Sequence, residues 1–155
     1  MATSKQSSSC PIRPEVVDEP SARLGAALVI LAAGLALGSG AAWVALLLAA
    51  DFALRSRGLA AFSPIGRASR WLRAASGLAP RPVNAGPKRF AALVGVVFSL
   101  GLALALFLHH RNAALAVAGI LIGCAALEAF LGYCLGCKVY GLLQRLPRPR
   151  TLEHT

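Results

Sequence analysis

Polar residues in this chain gather into blocks, and the stretches between them are apolar for longer than a soluble core requires. From Leu24 to Leu54, 31 residues carry one charge, Asp51. A single helix of that length would rise about 46 Å, well beyond the ~30 Å hydrocarbon thickness of a bilayer. Gly38-Ser39-Gly40 sits near the middle, so the pattern predicts a tight hairpin of two helices over about 20–38 and 41–56. Pro20, preceded by Asp18 and Glu19, marks the first helix start. Gly34 and Gly38 form a small-xxx-small spacing suited to close helix approach. The third run, Phe90 to Leu108, is 19 residues without a charge. After the polar turn His109-His110-Arg111-Asn112, a fourth continues to Tyr133, interrupted by Glu128. Spans of about 89–108 and 113–133 make a second hairpin.

The segments outside these runs have a different texture. Residues 1–19 and 146–155 lack periodicity and are expected to be tails, leaving a domain over 20–145. The loop 55–89 holds eight Lys/Arg and no acid. Within it, Ser63-Pro64 is a cap and first-turn pair. Arg67, Arg70 and Arg73 then recur every third residue, with Ile65, Ala68, Trp71, Leu72 and Ala75 between them. That spacing predicts a short basic helix lying among anionic lipid headgroups. Asp51, four residues before Arg55, has the spacing of a helical ion pair.

Composition supports a lipid environment. Apolar residues make up 57% of the 155, charged residues 14%, and mean hydropathy is +0.65. A soluble domain carries roughly a quarter of its residues charged. The net charge of +10 is concentrated beside apolar runs, where anionic lipid is the natural counter-surface. No nucleic-acid-binding signature accompanies it. With four spans, 15 of the 16 Lys/Arg fall on one side and only Arg111 on the other. Positive residues stay cytoplasmic, so both termini are expected inside. The expected fold class is therefore an all-α membrane protein of four transmembrane helices in two hairpins.

The chemistry-bearing residues gather at the end of the fourth run. Cys134-Leu-Gly-Cys137 places two thiols at i, i+3, one face of a helix. On a continuous helix they would lie at a C-terminus, whose partial negative charge opposes a thiolate. A break between Gly132 and Gly136 followed by a new helix would reverse that, because helix N-termini favour thiolates. Glu128, inside the fourth run, is expected to be protonated or paired and is the candidate proton acceptor. Cys124 sits one turn deeper, with a packing role expected, and Cys10 on the tail is a candidate resolving thiol. Three readings stay open: a cytoplasm-facing dithiol exchanging disulfides or carrying sulfur, a structural packing face at Gly132 and Gly136, and a half-site for a soft metal such as Zn or Cu(I). A membrane scaffold recruiting a partner through the basic loop is the competing function class. No cofactor is expected.

The run Leu127-Glu-Ala-Phe-Leu-Gly-Tyr-Cys-Leu-Gly-Cys-Lys-Val-Tyr140 resembles the signature of a bacterial integral-membrane family known as domain of unknown function 4395. Gly86-Pro-Lys-Arg-Phe-Ala91 with Gly95 is similar to the start of that family's third helix. Arg23 and Phe62-Ser-Pro-Ile-Gly66 fit as well. The resemblance implies a four-helix membrane protein without an assigned activity, associated with thioredoxin-like proteins and sulfurtransferases.

Overall fold

The computed structural model describes residues 16–145, and Cys10 and the C-terminal tail lie outside them. The chain forms β1 (Val16–Asp18), α1 (Glu19–Ser39), α2 (Ala42–Ser56), α3 (Pro64–Ala75), β2 (Pro82–Asn84), α4 (Ala85–Phe107), α5 (Arg111–Leu131) and α6 (Leu135–Arg145). Helices α1, α4 and α5 are long and apolar enough to cross a membrane. Helix α2, at 15 residues, rises about 22 Å. The hairpin turn falls where the glycines are: Gly40 adopts φ 68°, a left-handed conformation that L side chains resist.

The two hairpins pack crosswise, α1 mainly on α5 and α2 mainly on α4. The distribution of residues is inverted relative to a soluble protein. The interior is made of small side chains, Ala26, Ala33, Ala36, Ala45, Ala103 and Ala118 among them. Large ones such as Leu31, Trp43, Leu47, Val97, Leu104 and Phe107 are exposed. In lipid there is no hydrophobic gain from burying leucine, so small residues that let backbones approach take the interfaces. Gly34 and Gly38, expected to form such a face, are instead exposed with nothing near them. The close face of α1 runs through Ala22, Ala26, Val29, Ala33 and Ala36. Gly95 serves the purpose on α4: a Cβ there would stand 2.7 Å from the Phe52 ring.

The basic loop is anchored by two carboxylates. Asp51, 2% exposed, accepts hydrogen bonds from Ser63 Oγ (2.6 Å) and the Ile65 backbone N–H (2.9 Å). Ser63 Oγ accepts one from the Gly66 N–H in turn, so α3 starts on a cap made of two side chains. The expected pairing with Arg55 is present but longer, at 3.9 Å. Asp51 is thus first a capping residue for the loop helix.

Asp18 anchors the other end. β1 and β2 pair antiparallel, with Val17 opposite Val83, so the ladder begins inside the stretch expected to be tail and adds a small β element to the helical fold. Asp18 accepts from Ser21 Oγ (2.7 Å) and the Arg81 N–H (2.8 Å), and its carboxylate stands 2.8 Å from Arg73 Nε. Burial pushes this carboxyl up, but the Ser21 and Arg81 hydrogen bonds and the Arg73 charge outweigh it and hold the group below its ordinary value of 3.8. A depressed carboxyl contributes stability that is present above its unfolded pKa and lost as pH falls through the folded one.

Two outcomes are expected. Asp51→Ala should destabilise by about 2–4 kcal/mol, since it strands a buried cap, and thermal unfolding in detergent followed at Trp71 measures it. Hydrogen exchange over residues 16–22 should stay slow at neutral pH and accelerate only below the ordinary carboxylate range. Asp18→Asn should make that exchange fast at every pH.

Candidate functional site

Helix α5 does not run on into the cysteine motif. It stops at Leu131, Gly132 turns left-handed at φ 65°, and α6 starts at Leu135. The end is held by a set of bonds that satisfies the carbonyls a terminating helix leaves open. The N–H groups of Gly132 and Tyr133 donate to the carbonyls of Glu128 and Leu127, each at 3.1 Å. Arg23, reaching across from α1, donates through Nε to Ala129 O (3.0 Å) and through Nη2 to Phe130 O (2.8 Å). Glu19, also on α1, has its carboxylate beside Gly132.

The break changes the electrostatics of the motif. The Lys138 N–H donates to the Cys134 carbonyl at 3.2 Å, closing the first turn of α6. Cys134 is therefore the residue that caps α6, and Cys137 lies in its first turn. The side chain of Cys137 is outside the described part of the structure. Of the two geometries the spacing allows, the one that favours negative charge at sulfur is adopted. The Gly132-to-Gly136 packing face does not form, because Gly132 is spent on the turn. Gly136 instead presses α6 onto α4: a Cβ there would meet Ala91 Cβ at 2.6 Å and Ala91 Cα at 2.8 Å.

Cys134 lines a cavity of about 260 Å³ bounded by α1, α2, α4, α5 and α6. Its walls are mostly apolar, and Arg55, Cys124 and Glu128 share it. The pairing that matters for Glu128 is with Lys88 on α4, Nζ to Oε1 3.8 Å. Sequence spacing did not find Lys88, because the two residues are adjacent only once α4 and α5 pack. The expected deep carboxylate is therefore paired with a cation. Cys124, expected to be packing, is exposed at the cavity. Among the described residues, no group of three or more His, Cys, Asp and Glu stands close enough to hold a metal ion.

The arginines of α3 separate into different roles. Arg67 and Arg70 are exposed, Arg70 with a hydrogen bond to Ala60 O at 3.2 Å. Arg73 turns back to Asp18 and to Leu78 O. The face of α3 that packs inward carries Gly66, close against Ala60 O and Ser63, and Ser69, which meets α1 at Gly25. Trp71, expected on the apolar side opposite the arginines, is 70% exposed. The outer surface of α3 is thus two arginines and an indole, with the exposed Phe62 just before it.

Residues 17–145 match the family described as Domain of unknown function (DUF4395), and the chain belongs to it. No curated protein and no solved structure matches it.

Gly136→Ala is the sharpest local test of this arrangement. It should lower the midpoint of thermal unfolding in detergent by several degrees, because the added methyl meets α4 backbone rather than a flexible side chain. The rate of maleimide labelling at Cys134 should rise in the same variant as α6 lifts from α4.

Proposed function

We propose that this family member is a bacterial inner-membrane protein whose Cys134 and Cys137 exchange disulfides, or pass sulfur, with a soluble thioredoxin-like or sulfurtransferase partner at the cytoplasmic face. The observation that carries this reading is the position of Cys134, at the start of α6 and on the wall of a cavity that also holds Glu128. In the exchange, the Cys134 thiolate attacks a sulfur of the partner's disulfide and releases one partner thiolate. Cys137 then attacks the Cys134 sulfur and releases the other, leaving a disulfide between the two cysteines and a reduced partner. Glu128 takes up the proton a cysteine gives away.

The membrane placement in this proposal adds α2 as a fourth crossing. Its outward side chains Trp43, Leu46 and Leu47 are exposed and apolar like those of the longer helices. Flanking groups and tilt make up the remaining length. Both termini then lie on the cytoplasmic side, with the arginine-rich loop. A second reading, a scaffold that docks anionic lipid or a partner through α3, draws support from exposed Arg67, Arg70 and Trp71. A zinc or Cu(I) site would need ligands beyond the two thiols.

Thiol labelling of native membranes with and without reductant, resolved residue by residue by mass spectrometry, tests the leading reading. Cys134 and Cys137 should be labelled together only after reduction or after incubation with reduced thioredoxin, and Cys124 should label irrespective of reductant. Constant labelling of the pair, with no persulfide, sinks it. Loss of function on substituting Arg67 and Arg70, with Cys134→Ser and Cys137→Ser silent, would favour the scaffold.

A further inference from the structure

A dithiol that forms a disulfide gives up two electrons and two protons, and none of the side chains around Cys134 can accept the electrons. The cavity beside it has the shape and polarity to hold something that can. The polar groups lie at one end: Arg55 comes from the last turn of α2, Glu128 from the last turn of α5, and Cys134 from the start of α6. Lys88, paired with Glu128, comes from the start of α4. From there the cavity runs about 12 Å along the helices, by the rise over eight residues from Phe90 to Phe98 and from Glu128 to Ile120. Its far walls are Val29, Phe98, Ile120 and Leu121. Three aromatic rings, Phe52, Phe90 and Phe98, line it.

Access is sideways. The lining residues Val94, Ile120 and Val139 are themselves exposed, as are large apolar side chains along the same helices such as Val97, Leu104 and Leu115. An occupant therefore arrives from the lipid phase. The volume, about 260 Å³, lies near the lower end of small-ligand sites, which start at about 300 Å³. It fits one ring and leaves a hydrocarbon tail outside. An acyl chain would need no arginine and no ion pair at the inner end, whereas a ring bearing two carbonyl oxygens would use them.

Resting on the dithiol reading above, we infer that this cavity binds the head group of a lipid-soluble quinone and that the Cys134–Cys137 dithiol reduces it. The two S–H bonds break, the bond between the sulfurs forms, and the electron pair and two protons pass to the two carbonyl oxygens, which leave as the quinol. Arg55 stabilises negative charge developing on the ring oxygen. Glu128 receives a thiol proton and passes it on. The net reaction is thiol:quinone oxidoreduction, with the soluble partner as electron source: the exchange then runs in reverse, a reduced partner's thiolates opening the Cys134–Cys137 disulfide and leaving as the partner's own disulfide.

The test uses the full chain in lipid nanodiscs under anaerobic conditions, reduced and freed of excess reductant. The probe is a decyl benzoquinone substituted at every ring position, so that simple thiol addition at a vacant ring carbon is prevented. One quinone should be reduced per chain, with loss of two thiols mapped to Cys134 and Cys137. Ile120→Trp and, separately, Val94→Trp fill the cavity away from the cysteines. Each should slow quinone reduction at least tenfold while disulfide exchange with thioredoxin keeps its wild-type rate. If the pair exchanges with thioredoxin but the quinone is not reduced, or is reduced equally fast in both filled variants, the quinone inference is overturned and the exchange reading stands. If the pair reacts with neither, both fall. Extraction of the protein purified from its native membrane should yield quinone in excess of empty nanodiscs, and recovery of phospholipid alone would count against the site.

Discussion

A backbone carbonyl in lipid has no water to turn to, and this constraint explains more of the structure than any other. The chain breaks a helix beside the cysteines, so the carbonyls left open there must be satisfied by protein. Arg23 does so from a helix more than a hundred residues away in sequence, contacting Ala129 O and Phe130 O together. A guanidinium suits this task because its fork donates two bonds in fixed geometry and its charge complements the negative end of α5. Without it, continuing α5 through Gly132 would be the cheaper way to satisfy the backbone, and Cys134 would ride on the wrong end of a dipole.

Backbone N–H groups are met in the same way, those of Ile65 and Gly66 at the loop helix by Asp51 and Ser63, and that of Arg81 by Asp18, which also takes the Ser21 hydroxyl. In each case a side chain that looks like a surface charge in sequence is committed to a helix end or a turn. The protein holds three such clamps on the side where its arginines gather. On the opposite side the connections are short glycine or histidine turns, and His109, with φ 57°, is the one non-glycine residue of the described chain in the left-handed region.

Where helices begin and end was largely readable from the sequence, because a change from apolar to charged residues in lipid is a large energetic step. The hairpin turn at Gly40 and the start of α3 at Ser63-Pro64 fall where the pattern puts them. The site was legible as a set of candidates and not as a geometry. Gly132 permits either a continuous helix or a left-handed turn, and the deciding partners, Arg23 and Glu19, sit on α1. Lys88 and Arg55 could not be attached to the site by spacing, since α2 and α4 reach it only through packing. The small β ladder leaves no mark in the sequence for a related reason. Three-residue strands carry no periodicity, and what holds this one is the Asp18 carboxylate bridging to Arg81 and Arg73.

The inverted interior also governs how the protein tolerates change. Leucines and phenylalanines on the outside meet fluid chains that conform to any lipophilic shape, so one can replace another with little consequence. Alanines such as Ala33, Ala36, Ala45 and Ala118, fully buried between helices, have no such freedom. A single added methylene there pushes two backbones apart along their length. The residues that look most ordinary in the sequence set the bundle's gauge.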